Sequence, residues 1–226
     1  MLKVLRNKKT AKRIWIGLGI IIMPAFIFWG LGGAIGDKGE KGYAGIIAGK
    51  KISNREFKDS LSAVKNMAIM RFGADFAQVV KDEELQNQAW QRLALVYEAK
   101  RLNIKASDQE VVERIESYPF FKRDGVFDKR LYNDLLKYLF STQPRVFEEE
   151  ARQNIIISKL FQKITNGITV DDKDAQERYI KINSENDPKF KFDEKKFLEE
   201  EKAYKAVILE EKKEEYFSKF LAELLK

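Results

Sequence analysis

No cysteine and no histidine occur anywhere in this chain, and proline occurs only four times. Without cysteine there are no disulfides, no thiol nucleophiles and no thioether-linked lipid anchor. Without histidine there are no imidazole acid–base pairs, and the two absences together remove the usual zinc ligand sets. Catalysis would have to rest on carboxylates, lysines or hydroxyls alone. A chain free of thiols suits an oxidising compartment and permits export without requiring it. Bulk charge is also lacking. The formal charge is +7 and the pI about 9.3, but six of the 42 basic residues fall in the first 13 positions, leaving 36 basic against 35 acidic side chains. The basic excess is therefore terminal, and a nucleic-acid partner is not expected.

The chain does hold one long apolar run, near its start. Residues 14–35 carry no charge, and 22 residues at about 1.5 Å each cover the roughly 30 Å hydrocarbon core of a bilayer. Pro24 sits mid-span, where a spanning helix tolerates the lost donor, and Trp15 and Trp29 suit the two interfaces. The preceding tail, residues 1–13, holds Lys3, Arg6, Lys8, Lys9, Lys12 and Arg13, and no acidic residue occurs before Asp37. That bias keeps the N-terminus in the cytoplasm and places the C-terminal domain outside. A cleaved signal peptide is the alternative. Its apolar core is shorter, although the small residues Gly30, Gly32, Gly33 and Ala34 resemble a cleavage region.

Residues 36–43 are polar and glycine-rich, as a tether is. The stretch from 44 to 52 reads as a short strand and turn. Ser53 with Glu56 forms a capping box for a helix carrying Phe57, Leu61, Val64 and Ala68 on one face. A second helix is expected over 82–102, with Asn103 as its stop. Ser107 with Glu110 opens a short helix that ends before Pro119. An Asp-Gly turn at 124–125 and a cap at Asp128 lead into a helix through Leu131, Leu135, Leu136 and Leu139. A longer helix is expected over 143–166, ended by Gly167, and another from Asp171 through Tyr179, broken at 184–188. Residues 189–192 alternate lysine and phenylalanine as a short strand would, and 194–226 returns to a charged helical pattern. Asp171, Asp172 and Asp174 suit a helix N-terminus better than a metal site, because the ligand set is incomplete.

Three segments carry a resemblance. They are Ala48-Gly-Lys-Lys-Ile-Ser-Asn-Arg-Glu-Phe57, Leu102-Asn-Ile-Lys-Ala-Ser-Asp-Gln-Glu-Val111, and Pro119-Phe-Phe-Lys-Arg-Asp-Gly-Val-Phe-Asp128 with Tyr132 four residues on. In this order, behind a basic tail and one span, they resemble the SurA/PpiD-type periplasmic chaperones, specifically their N-terminal module. The resemblance implies a mainly α fold: one transmembrane helix, then a helical chaperone domain over 44–226 with at most short strands, completed by a returning helix over 194–226. It also implies a single-pass protein of the bacterial inner membrane, with its C-terminal domain in the periplasm. In that family a parvulin-type prolyl isomerase usually sits between the N-terminal helices and the returning helix. Here residues 184–193 leave no room for one, and a chain without histidine is not expected to isomerise proline.

What the resemblance leaves is binding of unfolded or newly exported polypeptides, with no catalytic residue, cofactor or metal. The alternative is a non-catalytic adaptor that docks a component of the secretion machinery. Such binding needs adaptable apolar side chains at the surface. The candidates are Met67, Met70, Phe72 and Phe76, then Phe120, Phe121 and Phe140. Phe57, Leu61 and Val64 are expected to be core, and Phe120 and Phe121 also read as anchors beneath the Asp-Gly loop.

Overall fold

The computed structural model describes residues 42–187 and 189–225. The tail 1–13, the span 14–35 with Pro24, and the tether as far as residue 41 lie outside these residues. Among the described residues the chain is mainly helical, and no helix is long and apolar enough to cross a membrane. The chain divides into two compact units: described residues 42–163 with 221–225 form one, and 164–220 the other.

The first unit opens on an antiparallel hairpin, β1 (Tyr43–Ile47) and β2 (Lys50–Ser53). Its two-residue turn has both central residues at positive φ, Ala48 at 47° and Gly49 at 78°, as the right-handed twist of a tight hairpin favours. Gly45 lies against Trp90, close enough that an added Cβ would meet the indole at 2.7 Å. Ser53 caps α1 (Asn54–Phe72) through a complete capping box. Its hydroxyl accepts from the Glu56 amide at 3.1 Å, and the Glu56 carboxylate accepts from the Ser53 amide at 2.8 Å. Two otherwise orphaned amides are thereby paired, and losing such a cap costs about 1 kcal/mol.

Helix α2 (Asp82–Arg101) has three acidic residues in its first turn and Lys100 and Arg101 in its last, matching the helix dipole. It stops at Asn103, left-handed at φ 54°. The Asn103 amide bonds to the Lys100 carbonyl at 3.0 Å and the Ile104 amide to the Ala99 carbonyl at 2.9 Å, the pairing of a Schellman motif with asparagine in the place of glycine. Phe57, Leu61, Val64 and Ala68 of α1 meet Leu85 and Ala89 of α2 in one core cluster, with Val80 and the half-buried Phe76. The Ser60 hydroxyl donates to the Ala89 carbonyl at 2.8 Å across the same contact.

A second cluster lies beyond α2. Helix α3 (Asp108–Ser117), capped by the Ser107/Glu110 box, leads through a 3-10 turn at Pro119–Phe121 into the hairpin β3 (Lys122–Arg123) and β4 (Val126–Phe127). Asp124 and Gly125 turn it with φ of 53° and 82°. The Asp128 carboxylate then accepts from the Arg130 and Leu131 amides at 2.9 and 3.0 Å to open α4 (Lys129–Tyr138). Helix α5 (Pro144–Thr165) contributes Phe147, Ala151 and Ile155, which join Val111, Ile115, Phe121, Tyr132, Leu136 and Phe140.

The two clusters are bridged by buried polar groups. Arg92 on α2, 5% exposed, donates to the Glu150 carbonyl and to Gln153, each at 3.1 Å, and to Asn154. Asn66 on α1 donates to the Glu150 carboxylate at 2.9 Å. Burial pulls the Arg92 guanidinium down to about 10 and pushes the Glu150 carboxyl up.

The second unit contains α6 (Asp172–Asn186) and, as far as residue 220, α7 (Glu194–Leu224). Asp171 accepts from the Asp174 amide at 2.7 Å as the cap of α6. Asp172 pairs with Lys205, Asp174 with Lys212, and Arg178 with Glu211. Asp171 is the cap and Asp172 and Asp174 lie in the first turn, as expected of a helix start. Ala175, Tyr179, Phe197 and Ile208 form the core of the unit.

One local expectation gives way. Residues 189–192 form no strand. The alternation has no partner strand to pair with, and Phe190 and Phe192 instead present their edges to Tyr179, at 5.8 and 6.1 Å between ring centres. Helix α6, by contrast, ends at Asn186, inside the polar stretch 184–188 expected to break it.

Candidate functional site

The end of α1 is held by local backbone geometry. Gly73, at φ 80°, sends its amide back to the Ile69 carbonyl at 2.8 Å, a conformation that side-chain-bearing residues adopt with strain. The chain then makes a 3-10 turn at Ala74–Gln78, and Val79 and Val80 both donate to the Phe76 carbonyl at 2.9 Å. Phe76 is half-buried against the α1–α2 core and anchors the turn from below. Apolar side chains flank it in the open: Phe72 is 40% exposed and Val79 64%, and Met67, on α1, is 38%. The Arg71 guanidinium lies 4.9 Å from the Phe72 ring centre, which steadies the ring while leaving a face free.

The seven apolar candidates thus separate into three environments. Met67 and Phe72 are exposed. Met70, Phe76 and Phe120 are half-buried, with Met70 and Phe120 packed on the aromatic cluster. Phe121 and Phe140 are interior, at 0% and 6% exposure. Phe121 is ringed edge-on by Phe120 at 4.5 Å, Tyr132 at 4.9 Å and Phe147 at 5.6 Å. Val79 went unnoticed in the sequence because its neighbour Val80 is core, and a Val-Val pair does not announce which member faces out.

A second opening was also missed. Helices α3, α4 and α5 and strand β4 enclose a cleft of about 290 Å³. Val111, Ile115, Phe127 and Tyr132 line it, and Val112 stands beside them 48% exposed. The sequence signal was the pair Val111-Val112 on an amphipathic helix, where only one of the two can belong to the buried stripe. Of the cleft's charged groups, Arg152 and Asp108 pair at 2.8 Å. Glu116, Glu148 and Lys129 make no ion pair among the described residues. The Tyr132 hydroxyl is buried and has no hydrogen-bond partner among the described residues. Burial, with the Glu148 charge adding to it, pushes this hydroxyl up to about 12. Leaving such a group unpaired costs about 1–3 kcal/mol.

Among the described residues no group of histidine, cysteine or carboxylate side chains is arranged to hold a metal. Among the described residues the exposed apolar side chains stand on a helical scaffold. Comparison with known proteins supplies the family: the SurA-like N-terminal domain matches residues 1–161, and the chain belongs to that family, of the SurA/PpiD type. The periplasmic chaperone PpiD of Escherichia coli strain K12 is 28% identical over 176 residues, covering 74% of this chain and 27% of its own. PpiD from Escherichia coli O6:H1 matches equally. The chain therefore spans about a quarter of the length of these curated relatives. No solved structure matches it.

Proposed function

We propose that this chain is a membrane-anchored periplasmic chaperone that holds unfolded or newly exported polypeptides and acts by binding alone. The observation that carries the reading is the exposure of Phe72 and Val79 on either side of the 3-10 turn, and of Met67 further back on α1, on a module of the SurA-like family. In this reading residues 14–35 are a retained anchor, the N-terminus is cytoplasmic, and the domain over 44–226 works on the far side. Tethering near a secretion channel raises the effective concentration of weak sites around emerging chains, so modest affinity suffices. Between α6 and α7 only residues 187–193 intervene, which supports a chain with no isomerase inserted at that point.

The test is light scattering of an aggregating unfolded client in the presence of the full chain in a mild detergent. Suppression is expected at several-fold molar excess. The triple variant Met67→Ser, Phe72→Ser, Val79→Ser should lose most of it while melting as the parent does. No suppression by the parent chain refutes the reading. Crosslinking in membranes separates it from the adaptor alternative, which gives one dominant product instead of many.

A further inference from the structure

We infer that the cleft between α3, β4, α4 and α5 is a second peptide subsite, which takes an apolar side chain of an extended segment flanked by a basic residue. The inference deepens the chaperone reading above and rests on it for the source of the peptide. Size sets the conformation of the occupant. About 290 Å³ accommodates one or two side chains, whereas a docked helix is 10–12 Å across with its side chains and needs a long groove. Val111, Ile115 and Phe127 supply apolar contact.

Of the side chains lining the cleft, Tyr132 alone holds a buried polar atom with no partner among the described residues. The hydroxyl has no surface open to solvent in this structure, so an entering segment must part the lining to reach it; an extended main chain, unlike a helix, carries unpaired carbonyls along its length, and one of them then supplies the acceptor this hydroxyl lacks. Charge then selects the flanking residue. The cleft has three carboxylates, Asp108, Glu116 and Glu148, against two cations, Lys129 and Arg152. Asp108 and Arg152 already neutralise each other, so the surplus is negative and Glu116 and Glu148 are the groups left to receive a lysine or arginine.

The experiment is fluorescence anisotropy of short labelled peptides, otherwise glycine and serine, that carry a Phe-Lys, Phe-Glu or Ala-Lys pair, titrated with the full chain in detergent. Phe-Lys should bind tightest. Tyr132→Phe should weaken it about three- to tenfold while leaving thermal stability unchanged or raised, which a purely structural hydroxyl would not do to binding. Glu116→Gln with Glu148→Gln should abolish the preference for Phe-Lys over Phe-Glu, and added salt should shrink it in the parent chain. Val112→Glu, at an exposed position, should weaken all three peptides. Equal binding of the three peptides, or variants that bind as the parent does, overturns the inference. If the cleft variants are silent while the parent still suppresses aggregation, the subsite fails and the chaperone reading stands. If the peptide preference holds but no client is protected, the subsite stands and the chaperone reading fails.

Discussion

Replacing Phe121 by alanine separates a core role from a client-binding one. The ring is fully buried and touches Phe120, Tyr132 and Phe147 edge-on at 4.5–5.6 Å between centres. Truncating a buried phenylalanine costs about 3–5 kcal/mol, the cavity included, and the edge-on pairs place this position in the upper part of that range. For a domain of this size each kcal/mol lowers the melting temperature by about 3 °C, so the expected fall is about 12–15 °C. Circular dichroism melting of the full chain in detergent measures it, with Phe72→Ser as the exposed control, where the change should stay within about 0.5 kcal/mol. A fall under about 3 °C for Phe121→Ala would refute the packing argument. If client binding were lost at the same time, Phe121 would belong with the surface candidates.

Local geometry carries two more predictions. Gly45→Ala should destabilise by about 1–3 kcal/mol, because the new methyl meets Trp90, whose ring is itself stacked on Phe57 at 4.7 Å and has little freedom to retreat; urea unfolding measures this, and an unchanged midpoint counts against it. Glu56 is held down at about 2, chiefly by the Tyr97 hydroxyl and then by the Ser53 amide and hydroxyl. Since its folded pKa lies below the ordinary 4.5, its contribution is complete above about pH 4.5 and is lost as pH falls toward 2. Glu56→Gln should therefore flatten the acid side of a melting-temperature profile, and identical profiles would show that Glu56 is not a source of the acid sensitivity.

Features set by neighbouring residues were legible in the sequence. The boxes at Ser53/Glu56 and Ser107/Glu110 and the Asp128 cap depend on side chains reaching amides a few positions away, the Asn103 stop and the Asp-Gly turn on residues that take up positive φ, and each occurs where expected. The face of Phe57, Leu61, Val64 and Ala68 was equally readable, because helical spacing alone lines it up. Distant packing was not. Phe72 and Phe121 look alike in the sequence, and only the way α3, α4 and α5 close around Phe121 makes one interior and the other exposed. Arg92 meets Glu150 across 58 positions, a link that no periodicity signals. Residues 189–192 failed for the same reason in reverse, since a strand needs a partner that the pattern could not supply. The end of α5 shows the limit even of local signals: the helix stops at Thr165 beside Gly167, yet that glycine is not among the positive-φ residues.

The hairpin turns and capping boxes also bear on how quickly the domain takes shape. β1 and β2 are joined by two residues, as are β3 and β4, and the boxes at Ser53 and Ser107 close over three. Contacts this near in sequence close fast and lower the barrier set by chain topology. On the proposed topology the domain itself crosses the membrane unfolded. On the function proposed above, readiness for other arriving chains gains from a framework that assembles promptly from its own short-range contacts.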